Sequence, residues 1–160
     1  MTLAVTGATL DGKIVGLRAE DGRITELGAG VAPHDGDEVI DGAGTVLVPG
    51  LWNAHTHAAM TLFRGYGDDM PLMEWLRTRI WPAEKHLSAD DVYHGTRLGI
   101  LEMIRGGTTF FNEMYWHRAA IVRGVEEMGV EALVGVTLID VGAPDVFARQ
   151  KEEVAQLVAE

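Results

Sequence analysis

Through residue 48, apolar and polar positions alternate in short runs separated by Asp-Gly pairs at Asp11-Gly12, Asp21-Gly22, Asp35-Gly36 and Asp41-Gly42. Asp-Gly readily adopts the positive φ angles of a tight hairpin turn, so the pairs read as punctuation between strands. The pattern predicts strands over residues 2–6, 13–20, 23–27 and 45–48, with the clearest hairpin closing at Asp21-Gly22. After Pro49-Gly50 the period changes. Residues 51–57 form a short apolar run of strand length, and residues 58–70 a loop. Asp69 and Pro71 then suit the start of a helix whose apolar face is Leu72, Met73, Trp75, Leu76 and Ile80, with Trp81-Pro82 as its stop. Glu84 follows in a segment with neither period. Ser88-Ala89-Asp90-Asp91 resembles a capping box and opens a helix to Arg105, ended by Gly106-Gly107. A β-prone run over 108–113, a helix over 117–128 stopped by Gly129, an apolar strand over 130–139, a turn at Gly142-Ala143-Pro144 and a helix over 145–160 complete the order.

Strands alternating with helices imply a parallel sheet with right-handed crossovers. The expected class is therefore α/β, with a β-module over residues 1–48 and an α/β unit over residues 49–160. An open doubly wound sheet and a (β/α)8 barrel both fit this order. A doubly wound nucleotide fold would place a Gly-x-Gly-x-x-Gly after its first strand, where this chain has His55-Thr56-His57. In barrels the reactive groups sit at the C-terminal ends of strands, and His55, His57, Asn112, Glu113 and Asp140 all fall at such ends, which favours the barrel. A complete barrel needs ~250 residues, so the expectation is an incomplete barrel, the N-terminal part of a longer protein.

Composition narrows the chemistry. Net charge is −11, from 24 acidic against 13 basic residues, which argues against nucleic acid or an anionic membrane as partner. The absence of cysteine excludes thiolate metal sites and the Cys-ligated nucleobase deaminases. No basic-then-apolar leader opens the chain and no apolar run approaches ~18 residues, so a soluble cytoplasmic protein is expected. Side chains alternate along a strand, so His55 and His57 point to one side and form a candidate pair of ligands for zinc or a similar metal. His86, His94 and His117 read as surface or helix residues, Glu113 as a weaker candidate and Asp140 as a turn cap.

The run Val48-Pro49-Gly50-Leu51-Trp52-Asn53-Ala54-His55-Thr56-His57 resembles the first-strand signature of the amidohydrolase superfamily. Val39-Ile40-Asp41-Gly42-x-Gly44 resembles its usual lead-in, and the opening residues its composite β-sandwich. Met70-Pro71-Leu72-Met73-Glu74-Trp75-Leu76, Ile80-Trp81-Pro82-Ala83-Glu84 and Ile104-Arg105-Gly106-Gly107-Thr108-Thr109 resemble the branch of 5-methylthioadenosine/S-adenosylhomocysteine deaminases and related chlorohydrolases. The resemblance implies an N-terminal β-sandwich module and the first strands and helices of a metal-dependent (β/α)8 barrel. It implies one divalent metal ion, usually zinc and sometimes iron, with His55 and His57 among its ligands. It also implies Glu84 on the ribose hydroxyls, Trp75 lining the substrate pocket and Arg149 as a substrate-binding arginine. The remaining ligands and the catalytic acid and base are expected beyond residue 160. Two departures stand out: Gly135-Val136-Thr137 where the family has a third-strand arginine, and Asn112-Glu113-Met114-Tyr115 where it commonly has Asp-Met-Tyr.

The implied activity is hydrolytic deamination of adenosine-type nucleosides, a small-molecule reaction releasing ammonia, in a protein that is a homo-oligomer at full length. The alternatives are a triazine chlorohydrolase or aminohydrolase, a deaminase of guanine or another base, and a noncatalytic part-barrel interaction module.

Overall fold

The computed structural model describes residues 1–138 and 144–159, and the chain divides into two compact units, Met1–Pro49 and Gly50–Glu160. The first unit holds strands β1 (Thr2–Leu10), β2 (Lys13–Glu20), β3 (Arg23–Gly28) and β4 (Glu38–Asp41) in one sheet of order β3-β2-β1-β4. Both hairpins turn on Asp-Gly pairs with positive φ at each residue, 49° and 75° at Asp11-Gly12 and 48° and 75° at Asp21-Gly22. β4 runs parallel to β1. Arg18 is buried in this unit, and its guanidinium donates to both Asp37 carboxylate oxygens, at 2.7 and 3.1 Å, and to Glu26 at 2.9 Å.

One expected strand is displaced. Residues 45–48 make only an isolated bridge between Thr9 and Val46, and Glu38–Asp41 forms the strand instead. The cause is the turn between them. The Ala43 N–H donates to Asp41 Oδ1, the Gly42 N–H to Thr6 O and the Thr45 hydroxyl to Gly42 O, so the chain leaves the ladder at Asp41.

The second unit holds a parallel sheet of β5 (Leu51–Thr56), β6 (Thr108–Glu113) and β7 (Glu131–Val134), in sequence order. Its helices are α1 (Leu72–Trp75), α2 (Trp81–Glu84), α3 (Ala89–Arg105), α4 (Arg118–Met128) and α5 (Pro144–Ala159). The core forms where α3 and α4 meet, around Val92 and Ile121, with Ala59 and Tyr115 in the same cluster. The capping box at Ser88 and Asp91 forms as the sequence predicts, and its hydrogen bonds hold the Asp91 carboxyl below its ordinary pKa.

Four expectations change here. Part of the 58–70 loop is a 3₁₀ helix, Ala58–Phe63. Trp81-Pro82 does not stop the helix before it: α1 passes through a π-helical turn, Leu76–Ile80, directly into α2. The wider turn shifts the hydrogen-bond register, so Pro82 falls in the first turn of α2, where its missing N–H costs little. Glu84 therefore ends a helix. β5 is largely exposed, Trp52 at 77%, because among the described residues it pairs only with β6. β7 stops at Val134 because its partner β6 ends at Glu113; one further bond, from the Gly135 N–H to Glu113 O, closes the ladder. Residue 139, the expected end of that strand, and Asp140 lie outside the described residues.

Candidate metal and substrate site

The His-x-His run leaves β5 at its C-terminal end, and its rings lie on one side, as period two requires. Their centroids are 4.9 Å apart with an interplanar angle of 75°. Three contacts from the end of β6 hold this segment. Asn112 Nδ2 donates to Ala54 O at 3.1 Å, just before His55. The Ala58 N–H, just after His57, donates to Glu113 Oε2 at 2.5 Å. His57 Nδ1 lies 2.6 Å from Met114 O. A carbonyl only accepts, so Nδ1 carries the proton and the free lone pair of His57 is on Nε2. A ligating histidine is oriented in this way by a backbone carbonyl on its other nitrogen.

Glu113 is fully buried, and burial pushes its carboxyl up to about 7. Oε1 lies 3.9 Å from His57 Nδ1 and has no hydrogen-bond partner. α3 approaches the backbone after His57 closely because Gly95 and Gly99 face it. A Cβ at Gly99 would lie 2.8 Å from Ala58 O, and one at Gly95 would lie 2.7 Å from Ala59 O.

His55 and His57 line a cavity of about 480 Å³ together with Trp75, Trp81, Glu84 and Tyr115. The helical run through the π turn supplies Trp75, Trp81 and Glu84 to it. Trp75 Nε1 donates to Tyr66 O at 3.2 Å, fixing the indole. Tyr115 is buried, its hydroxyl donates to Glu84 Oε1 at 2.7 Å, and its ring centroid lies 5.8 Å from that of His57. Burial, and then the Glu84 carboxylate, push the phenol well above its usual range, so it remains a donor.

Arg149 is not on this cavity. It lines a second one of about 900 Å³ that shares Trp81, Glu84 and Trp116 with the first, and its Nε donates to Asp145 O at 3.4 Å. His86, His94 and His117 are exposed and off the histidine cavity, as their sequence context suggests, although His117 lines the second cavity. Among the described residues, no cluster of three or more His, Asp or Glu side chains could hold a metal ion. The arrangement can thus present two imidazoles to a shared ion, with the Glu84 carboxylate on the same cavity. Sequence reasoning missed Tyr115, quoted only as part of a motif, and the Met114 carbonyl, which no side chain announces.

Comparison with known proteins adds three likenesses. The chain is 45% identical over 141 residues to a 5′-deoxyadenosine deaminase of Methanothermobacter thermautotrophicus, covering 88% of this chain and 33% of that protein. It is 53% identical over 127 residues to a 5-methylthioadenosine/S-adenosylhomocysteine deaminase of Syntrophomonas wolfei, covering 79% and 30%. Its fold matches a crystal structure of an adenosine deaminase from Xanthomonas campestris with bound zinc, with a TM-score of 0.71 and 34% identity over 86% of this chain and 34% of that one. The chain spans about a third of the length of the curated relatives it matches. The profile of the amidohydrolase family matches residues 46–160, which takes in the whole α/β unit and its His-x-His strand; this chain belongs to the amidohydrolase family.

Proposed function

We propose that this chain carries the first βα units of a metal-dependent (β/α)8 barrel, residues 49–160, preceded by part of a β-sandwich, residues 1–48. The full-length protein would hydrolytically deaminate adenosine-type nucleosides of the 5-methylthioadenosine/S-adenosylhomocysteine kind, in the cytoplasm and as a homo-oligomer. The observation that carries this reading is His57 held on Met114 O with Nε2 free, beside His55 and in one cavity with Glu84. The names of the similar proteins support the nucleoside class.

The donor set fits a divalent ion such as zinc: two imidazoles on one side of a strand end, one with its tautomer fixed for Nε2 ligation. His55 and His57 would hold the ion, with further ligands from outside the described residues. When bound, such an ion supplies water activated for attack on the ring carbon that carries the amino group. Glu84 accepts hydrogen bonds from the ribose hydroxyls, Trp75 packs against the substrate and Arg149 meets it from the adjoining cavity.

Glu84 gives the test. A hydrogen bond to a charged group contributes ~1.5–3 kcal/mol, so Glu84→Ala in the full-length protein should lower kcat/KM for adenosine by about 10- to 150-fold. The loss on 2′,3′-dideoxyadenosine, which lacks both hydroxyls, should be far smaller. Equal losses on the two would shift the reading toward a hydrolase of ribose-free rings, a triazine or a free base. His55→Ala is the control and should abolish both activities.

A further inference from the structure

We infer that Tyr115 is a positioning residue that fixes Glu84 for the sugar. The inference rests on the ribose-binding role proposed for Glu84. Glu84 ends a four-residue helix, and its side chain has three rotatable bonds. Left alone, such a carboxylate would sample many orientations, and each ordered torsion costs part of the binding free energy. Tyr115 comes from a different element, just past the end of β6, on a buried ring with two torsions. Its hydroxyl donates to Glu84 Oε1 at 2.7 Å and is therefore committed to one carboxylate oxygen. Glu84 lines the same cavity as His55 and His57, and its other oxygen, Oε2, is then the one offered to the sugar. The same ring lies beside His57, so one rigid side chain spans from the histidine pair to the carboxylate. The distance between the end of the substrate that reacts and the end that is gripped is then set by a phenol ring and not by two flexible arms.

A purely space-filling tyrosine would need only its ring, and Phe would replace it. The hydroxyl makes the difference testable, because Tyr115→Phe keeps the buried ring. In the full-length zinc-loaded protein, the ratio of kcat/KM for adenosine over 2′,3′-dideoxyadenosine should fall by about 3- to 10-fold in Tyr115→Phe, the range of one lost hydrogen bond that does not touch substrate. The change should sit in KM for adenosine, with kcat nearly constant. In a Glu84→Ala background the same substitution should leave the ratio unmoved, because its partner is gone. An unchanged ratio in the single variant, or an equal loss on both substrates, overturns the positioning role. Additive losses in the double variant overturn it too. If Glu84→Ala itself fails to discriminate between the two nucleosides, the ribose reading falls and the role of Tyr115 with it. If Glu84→Ala discriminates and Tyr115→Phe does not, only the role of Tyr115 falls.

Discussion

The state of His57 is set by residues at the end of the next strand, Glu113 and Met114, and that is where single-residue predictions are sharpest. Glu113 accepts the Ala58 N–H from a buried position, and its other oxygen is unpaired. Glu113→Ala leaves that N–H without a partner and should destabilise the chain by about 1–3 kcal/mol in urea unfolding. Glu113→Gln keeps both an acceptor oxygen and the side-chain volume, and should lose much less; equal losses would mean that the carboxyl group itself, and not simply an acceptor for the Ala58 N–H, is required here. The histidine pair was legible in the sequence because alternation on a strand is a strict rule. Glu113 was legible only as a carboxylate at a strand end. Met114 was not legible at all, since its contribution is a carbonyl that every residue possesses.

At the scale of elements, α3 and the segment after His57 fit because of Gly95 and Gly99. Gly99→Ala would put a methyl 2.8 Å from Ala58 O and 3.1 Å from Ala58 Cβ. Overpacking of this kind costs about 1–3 kcal/mol, and backbone amide shifts should move at Ala58 and Ala59 first; a variant as stable as the parent would refute the close fit. In the first unit, Asp37 is held by the Arg18 guanidinium and by the His34 N–H, which keep its carboxyl well below the ordinary 3.8. A depressed pKa contributes stability that is fully present above the ordinary value and is lost as pH falls below it. Asp37→Asn should therefore melt lower at neutral pH and show a flatter melting profile below about pH 4; parallel profiles would contradict the linkage. Hairpins and capped helices were readable from local signals, Asp-Gly at the turns and Ser88 with Asp91 at the helix start. The π turn was not, because Trp-Pro carries a genuine helix-stop signal. It is overridden only when the backbone re-registers so that Pro82 begins a new α segment. The displaced fourth strand has a similar cause: Thr-Val-Leu-Val has the propensity of a strand, but ladder partners are decided by the turn at Asp41.

On the scale of the whole molecule, the described residues supply two histidines, whereas a catalytic zinc commonly takes three protein ligands and a water. The 160-residue chain alone is expected to release no ammonia from any nucleoside, and detectable release would show that these residues suffice. No helix among the described residues is long and apolar enough to cross a membrane. The His-x-His strand is proposed to serve metal-dependent deamination in the full-length protein. The most direct test of that role is ammonia release from 5′-methylthioadenosine by zinc-saturated full-length protein, compared with His57→Ala at the same zinc concentration and with its folding verified. Steady release by the parent and none above background by His57→Ala is the expected result. Undiminished release by His57→Ala, or none by the parent, would contradict it.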